Sequence, residues 1–197
     1  MSKRLFDVFF ALTGLLLLSP LLLATAVLIR LGSLGPIFYR GMRVGLNGRL
    51  FRVFKFRTMV VHAEKLGGAT TSADDPRVTP VGAFLRKYKL DELPQFLNVL
   101  TGDMSFVGPR PPVPSEAAEY DANARRLLTI RPGITDYASI RFRNEGDIVK
   151  GYPDPHKAYE ELILPEKIRL GLRYVDHHNL WIDIRIILAT LRAVAFE

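Results

Sequence analysis

The stretch richest in reactive groups covers residues 89–112 and contains an adjacent acidic pair, Asp91 and Glu92. Proline is best tolerated in the first turn of a helix, so Pro94 predicts a helix that begins near this pair, with Gly102 as its stop. Free N–H groups and the helix dipole favour a carboxylate at such a start, so Asp91 is expected to be ionised. A helix start also attracts phosphate, which makes the stretch a candidate for phosphate chemistry.

An ordinary helix cap is the alternative for the acidic pair, because Asp and Glu are common at helix starts. Arg110 favours chemistry, since it lies between two prolines that restrict its backbone on both sides. A preorganised arginine suits bidentate binding of phosphate. The preceding helix, predicted to begin at Thr79-Pro80, ends in basic residues that would lie beside the acidic pair. These residues are Arg86, Lys87 and Lys89.

Two more cations come from residues 51–59, which have the pattern of a β-strand. A strand there would put Lys55 and Arg57 on one face, about 7 Å apart, and such a pair suits a pyrophosphate. The alternative is a solvated edge strand whose charges discourage pairing with other chains.

Three arginines lie further along the chain. Arg131, in the turn Arg-Pro-Gly, is a candidate phosphate ligand, and Arg141 and Arg143 are candidate contacts for a nucleotide or a sugar. Surface ion pairs are the alternative for all three.

The N-terminal region is apolar enough for a membrane, because the 22 residues from Val8 to Ile29 carry no charge. Basic residues flank this run on both sides, which favours a re-entrant helix with both flanks on the cytoplasmic side. Ser19-Pro20 lies near the midpoint, where proline frees a backbone carbonyl and kinks the helix, and a serine hydroxyl can help satisfy the backbone. A bend there would turn the chain back. The alternative is a kinked helix that spans the membrane. Asp7 is expected to pair with Lys3 or Arg4 at the interface.

The end of the apolar run predicts two parts of the chain: a re-entrant membrane helix, residues 1–31, and a catalytic domain, residues 32–197. Met1 and Glu197 are both expected on the cytoplasmic side. Residues 61–77 form a polar loop and a candidate lid, whereas Ser115–Leu128, Leu162–Tyr174 and Asn179–Phe196 are predicted helices. The fold class is therefore α+β, mainly helical, with a small β element and amphipathic C-terminal helices. Trp181 and nearby arginines suit the lipid headgroup level, although a core helix is equally consistent with the pattern.

Composition narrows the function classes. The net charge of +7 favours an anionic partner, which could be a nucleic acid, an anionic membrane or a phosphorylated substrate. The absence of cysteine excludes a thiol nucleophile and a thiolate metal site. His177 and His178 lack metal-ligand spacing to acidic partners other than Asp176, so no metal is assigned to them.

Three motifs and their order carry a family resemblance. KFRTM, LDELPQFLNVLTGDMSFVGPRP and RPGIT follow a basic, then apolar N-terminus with a central Ser-Pro. Together they resemble the bacterial sugar transferase family, the monotopic phosphoglycosyl transferases, in its minimal catalytic form. The resemblance covers nearly the whole chain and strengthens the expectation of a re-entrant helix broken at Ser19-Pro20.

The resemblance implies an enzyme that transfers a sugar 1-phosphate from a UDP-sugar to a polyprenyl phosphate and releases UMP. It implies Asp91 as nucleophile through an aspartyl-phosphosugar intermediate, Glu92 as its partner and metal ligand, and Mg²⁺ as cofactor. The expected location is the cytoplasmic face of the bacterial cytoplasmic membrane, in contact with its lipids, at the first membrane step of glycoconjugate or exopolysaccharide assembly.

One departure from the family pattern concerns the donor sugar. After RPGIT many relatives continue with Gly-Trp-Ala-Gln, whereas this chain continues with Asp136-Tyr137-Ala138-Ser139. The sequence thus leaves open the sugar, the polyprenol length, the pathway and a homo-oligomeric state. A membrane-bound Mg²⁺-dependent phosphohydrolase and a non-enzymatic basic membrane-binding protein remain as alternatives. Nucleic acid is not an expected partner, because no known nucleic-acid-binding motif accompanies the basic residues.

Overall fold

The computed structural model describes residues 2–68 and 70–196, so the predicted locations of Met1 and Glu197 lie outside the described residues. The described chain is mainly helical with a few short strands, as the sequence predicted. The α-helices are α1 (Ser2–Gly32), α2 (Pro80–Lys87), α3 (Phe96–Thr101), α4 (Pro114–Ala118), α5 (Tyr137–Arg141), α6 (Glu145–Ile148), α7 (Pro155–Leu162), α8 (Leu164–His177) and α9 (Leu180–Phe196). The 3-10 helices are Leu46–Gly48, Ala63–Lys65, Leu90–Gln95 and Ala124–Thr129. The strands are β1 (Phe38–Tyr39), β2 (Met42–Val44), β3 (Leu50–Arg52), β4 (Lys55–Phe56), β5 (Ser105–Val107) and β6 (Gly133–Thr135).

Helix α1 contains 31 residues and is about 46 Å long at the usual rise per residue. In the described part of the chain it is the one helix long and apolar enough to cross a membrane. Both of its ends pack on the rest of the protein. Ala11, near its start, lies in a core cluster with Val99, and Ile29, near its end, lies in another with Leu85. Between these contacts, leucines such as Leu16 remain exposed.

Ser19 and Pro20 do not break the helix in the way the sequence predicted, because residues on both sides of them and the pair itself are helical. Proline has no N–H for the carbonyl of Leu16, four residues earlier. The Ser19 hydroxyl donates a hydrogen bond to that carbonyl at 2.8 Å instead. The expected role of the serine is therefore confirmed, and the interruption is limited to the hydrogen bonding of one turn.

The start of α1 is held by a polar cluster that differs from the predicted interfacial ion pair. Asp7 is buried and accepts hydrogen bonds from the Ser105 hydroxyl and the Phe106 N–H, rather than pairing with Lys3 or Arg4. Lys3 pairs with Asp183 of α9 at 2.5 Å. Arg4 donates to the carbonyls of Val99 and Leu100 at the end of α3. The charges at the N-terminus thus bind the folded domain directly, because it offers buried acceptors within their reach.

The short strands pair in two-stranded units. Antiparallel pairs form between β1 and β4 and between β2 and β3, and β5 is parallel to β6. The predicted strand over residues 51–59 is split, because the buried Asn98 side chain takes the place of a strand partner. It accepts from the Phe54 N–H at 2.8 Å and donates to the Arg52 carbonyl at 2.9 Å.

The parallel pair brings two of the sequence motifs together. Gly108 follows β5 and Gly133 begins β6, and their backbones touch: a Cβ added at Gly133 would lie 2.1 Å from the Gly108 nitrogen. Only glycine permits this approach. The segments GPRP and RPGIT are therefore neighbours in space.

The predicted helix at Ser115–Leu128 is interrupted, since α4 ends at Ala118 and a 3-10 helix begins at Ala124. The Asp121 side chain accepts from the Ala124 N–H at 2.7 Å and starts this second turn. The start of α2 is confirmed, because the Thr79 hydroxyl accepts from the Gly82 N–H at 3.0 Å.

The polar loop at residues 61–77 is stabilised by contacts between its own residues. Arg77 pairs with Asp75 at 2.6 Å and donates to the carbonyls of Ala63 and Gly68. The loop also contacts α6, where the Ala73 N–H donates to the Gly146 carbonyl at 3.1 Å. Ala73 and Gly146 both line the cavity described below.

Candidate active site

The acidic pair lies in the 3-10 helix Leu90–Gln95, which leads directly into α3. Lys89 precedes this helix in the left-handed region, at φ 55°, so the chain turns sharply before the pair. The helix begins at Leu90, so the prediction of a helix start near the acidic pair is confirmed, and Asp91 is its second residue. Gly102 ends α3 at φ 88°, as expected of a glycine stop.

Asp91 is buried, with 8% of its surface exposed, and its carboxylate makes no hydrogen bond or ion pair with the described residues. Burial raises its pKa, and the charge of Glu92 raises it further, while Lys55, Arg86 and Lys89 act in the opposite direction. The surroundings as a whole therefore raise the pKa of Asp91 above its ordinary value, which is opposite to the direction expected at a helix start.

Glu92 is held directly by two cations. Its Oε1 accepts from Lys55 at 2.6 Å and from Arg110 at 3.2 Å. Burial opposes ionisation of Glu92, but the charges of Lys55 and Arg110 outweigh it and lower the pKa well below the usual range. The two neighbouring carboxyl groups thus have pKa values shifted in opposite directions, a pattern typical of pairs with different chemical roles.

The basic end of α2 lies beside the acidic pair, as the sequence predicted. Arg86 donates from Nε to the Thr58 hydroxyl at 2.9 Å, and Lys89 donates to the Arg143 carbonyl at 3.1 Å. Burial lowers the pKa of both cations, although the carboxylates nearby oppose this shift. Arg86, Lys89 and Lys55 thus surround Asp91 without touching its carboxylate.

Three predicted ligands make no contact with the acidic pair. Arg57 lines the same cavity as Lys55, but its guanidinium binds the carbonyls of Ser33 and Pro36 in the turn after α1. Arg131 donates to the Gly102 carbonyl at 2.9 Å and so binds the end of α3. Arg141 is exposed near Glu166, and neither Arg131 nor Arg141 lines the cavity in the described residues.

Arg143 does line the cavity, where its guanidinium donates to the Ala193 carbonyl of α9. A second polar cluster on the cavity wall was missed by sequence reasoning. The Tyr120 hydroxyl donates to Glu116 at 2.9 Å, Tyr159 reaches the other oxygen of Glu116 at 3.4 Å, and Lys167 pairs with Glu145. Only Glu116 and Tyr120 are close in the chain, four residues apart, and no local spacing connects them to Tyr159, Lys167 or Glu145.

The acidic pair, the cations around it and the second polar cluster line one cavity of about 1990 Å³. It extends from the acidic pair and the second polar cluster to apolar side chains of α1 and α9. This volume exceeds that of an ordinary small-molecule pocket, about 300–1,000 Å³, and accommodates more than one substrate.

The donor set around Asp91 and Glu92 fits Mg²⁺ shared with a substrate. The described residues contain no group of three or more His, Asp or Glu side chains that could hold a metal by themselves. Mg²⁺ is commonly bound by one or two carboxylates together with substrate phosphates. Both contacts of Glu92 use Oε1, so its other oxygen and the Asp91 carboxylate remain as hard oxygen donors facing the cavity.

The family model described as "Bacterial sugar transferase" matches residues 1–197. The UDP-N-acetylgalactosamine-undecaprenyl-phosphate N-acetylgalactosaminephosphotransferase of Aeromonas hydrophila is 38% identical over 195 residues, which cover 98% of this chain and 43% of that protein. The UDP-glucose:undecaprenyl-phosphate glucose-1-phosphate transferase of Escherichia coli (strain K12) is 37% identical over 197 residues, which cover 96% of this chain and 39% of that protein.

A shorter relative matches along most of its length. The exopolysaccharide production protein ExoY of Sinorhizobium fredii (strain NBRC 101917 / NGR234) is 37% identical over 211 residues, which cover 100% of this chain and 86% of that protein. The chain spans about two fifths of the length of the two longer relatives. The whole-chain match and these relatives show that the protein belongs to the bacterial sugar transferase family.

Proposed function

We propose that this protein transfers a sugar 1-phosphate from a UDP-sugar to a polyprenyl phosphate, giving a polyprenyl-diphospho-sugar and UMP. The main support for the proposal is that the two carboxylates of the acidic pair differ in their contacts. Glu92 is fixed by Lys55 and Arg110, while Asp91 is buried beside it with no direct partner among the described residues. The names of the relatives, which specify UDP-sugars and undecaprenyl phosphate, agree with this chemistry.

The reaction consists of two displacements at one phosphorus atom. The Asp91 carboxylate attacks the phosphorus that bears the sugar, the bond to the UMP oxygen breaks, and UMP leaves. An oxygen of the polyprenyl phosphate then attacks the same phosphorus and displaces Asp91. The absence of a direct partner suits this role, since no hydrogen bond has to break before Asp91 attacks.

The cations hold the phosphate oxygens and offset their charge. Arg110 pairs with Glu92, lines the cavity and is partly exposed, so it keeps donors for a phosphate oxygen bound next to the acidic pair. Lys55, Arg86 and Lys89 add positive charge around Asp91. Such preorganised donors stabilise charge that shifts in the transition state.

Asp91, Glu92 and the phosphates of the donor would hold Mg²⁺ in this site. When bound, the ion would neutralise phosphate charge and polarise the phosphorus–oxygen bonds. The chain's own contribution is to fix Glu92 through Lys55 and Arg110 and to keep Asp91 within the same cavity.

The membrane arrangement that fits best is a re-entrant α1 with its two ends on the cytoplasmic face of the bacterial cytoplasmic membrane. Its support is that both ends of α1 pack on the same domain, through Ala11 and Ile29. In a spanning helix, one of these ends would lie on the other side of the membrane, away from the domain. Cysteines introduced at Lys3 and Ser33 should both be shielded from an impermeant thiol reagent in intact cells, whereas labelling at Lys3 alone would mean that α1 spans the membrane.

A panel of UDP-sugars, radiolabelled in the sugar, tests the activity and identifies the donor. Label should enter the lipid extract only when polyprenyl phosphate is present, and UMP should form in the same amount. Free sugar phosphate formed without lipid would instead indicate a phosphohydrolase. Failure of every UDP-sugar to turn over would leave the non-enzymatic membrane-binding alternative.

A further inference from the structure

Helices α1 and α9 form the two walls of an apolar groove. They are joined near their starts by the ion pair between Lys3 and Asp183, at 2.5 Å. Further along, α1 is held at Gly14, where an added Cβ would lie 2.6 Å from the Phe96 ring. Helix α9 is held at Ala193, whose carbonyl accepts from Arg143. The walls are thus fixed at both ends by named contacts.

The same contacts connect the groove to the acidic pair. Lys89, the residue before the 3-10 helix that carries Asp91, donates to the Arg143 carbonyl at 3.1 Å. Phe96, the first residue of α3, follows that 3-10 helix directly. One continuous cavity includes Asp91 and the facing sides of α1 and α9. The acidic pair therefore lies on the rim of the groove.

The groove is lined by large apolar side chains. Its wall and floor include Phe10, Leu17, Leu21, Phe96, Leu188 and Leu191. Several of them are left uncovered by the protein: Leu17 is 75% exposed and Leu191 is 61% exposed. A contiguous exposed apolar surface of this kind marks a binding site for an apolar partner.

We propose that this groove binds the isoprenoid chain of the polyprenyl phosphate acceptor and so directs its phosphate to Asp91. The inference rests on the proposed function and adds where the chain of the acceptor lies. A molecule with one charged end and one long apolar chain matches the site, because cations surround Asp91 on the rim and apolar side chains continue along α1 and α9. The isoprenoid chain is favoured over a bilayer acyl chain because the groove begins beside the reacting carboxylate.

Two neighbouring leucines on α1 provide a matched test. Leu17 lines the groove, whereas Leu16 does not and is similarly exposed, at 68%. Leu17→Trp and Leu191→Trp should fill the groove and raise the acceptor KM for undecaprenyl phosphate about tenfold or more. Leu16→Trp adds the same apolar bulk to the membrane-facing helix and should behave as wild type. Equal KM values for the Leu16→Trp and Leu17→Trp proteins would overturn the proposal.

Acceptor-independent labelling of the protein from UDP-sugar checks that Asp91 is intact in each variant. If the wild-type protein takes no such label, the proposed function fails, and a binding experiment then decides the groove separately. A polyprenyl phosphate with a photoreactive group on its chain should crosslink to α1 and α9 peptides, and plain polyprenyl phosphate should displace it. Crosslinking that phosphatidic acid displaces equally well would assign the groove to bilayer lipid and overturn the proposal.

Discussion

Two polar clusters in this protein contain the same kinds of residue. The dyad cluster consists of Lys55, Asp91, Glu92 and Arg110, and the anchor cluster at the start of α1 consists of Lys3, Arg4, Asp7 and Asp183. In the anchor cluster each charged group has a direct partner, including hydrogen bonds from Ser105 and Phe106 to Asp7.

In the dyad cluster one charged group lacks a direct partner: Asp91 is buried but makes no direct hydrogen bond with the described residues. Its carboxylate lines the cavity, so it remains available to a ligand there. Charged groups that bind one another thus join α1 to the domain, whereas the carboxylate without a direct partner lines the cavity and is available for chemistry.

The largest expected effect is that of Asp91→Asn. An amide cannot form the acyl phosphate at a useful rate, so turnover should fall by about three orders of magnitude or more while the protein stays folded. UMP release measures turnover, and brief incubation with sugar-labelled UDP-sugar should label wild-type protein but not the variant. Near-normal turnover would reduce Asp91 to a structural residue and remove the contrast between the clusters.

Glu92→Gln should be the next most severe change. It removes the charge that holds Lys55 and Arg110, and it weakens an oxygen donor for Mg²⁺. Turnover should fall about a hundredfold or more, and the Mg²⁺ concentration for half-maximal activity should rise. A titration of Mg²⁺ after chelation measures both, and an unchanged Mg²⁺ requirement would separate Glu92 from the metal.

Arg110→Lys should have a smaller effect, and Arg131→Lys is its matched control. The two arginines flank neighbouring strands and each adjoins proline, yet Arg110 reaches Glu92 and Arg131 binds the Gly102 carbonyl. Lysine keeps the charge but loses the planar fork, so Arg110→Lys should lower kcat/KM about tenfold or more. Arg131→Lys should stay within about twofold of wild type. Equal losses would show that both arginines serve the reaction.

These two arginines also show what the sequence could and could not predict. An adjacent proline predicts a restricted backbone, but it does not indicate which group the arginine side chain binds. Lys55 and Arg57 show the same limit, because their alternation along the predicted strand does not indicate what each side chain binds: Lys55 pairs with Glu92, whereas Arg57 binds the carbonyls of Ser33 and Pro36. Local patterns therefore identified the candidates, and pairing between distant segments decided which of them reach Glu92.

Features that depend on neighbouring residues were predicted well. The apolar run correctly predicted helix α1, and Thr79-Pro80 correctly predicted the start of α2. The basic residues Arg86 and Lys89, at and just after the end of α2, lie near Asp91 as expected. The cluster of Glu116, Tyr120 and Tyr159 was missed because Tyr159 is 43 residues from Glu116, although Glu116 and Tyr120 are only four residues apart.

The smallest expected effect on turnover is that of Asp183→Asn in the anchor cluster, and it tests the other half of the comparison. Asp183 is buried and binds both Lys3 and the Tyr174 hydroxyl at 2.5 Å. Its charge balances a partly buried lysine, so the free energy of unfolding should fall by about 1–3 kcal/mol, while turnover per folded molecule stays within about twofold. Denaturant unfolding in detergent measures the stability. Asp176→Asn breaks the exposed pair with Arg126 and should cost less than about 1 kcal/mol. If Asp183→Asn instead abolished turnover in a stably folded protein, the anchor cluster would have to take part in the reaction, and satisfied hydrogen bonding would no longer separate the two clusters.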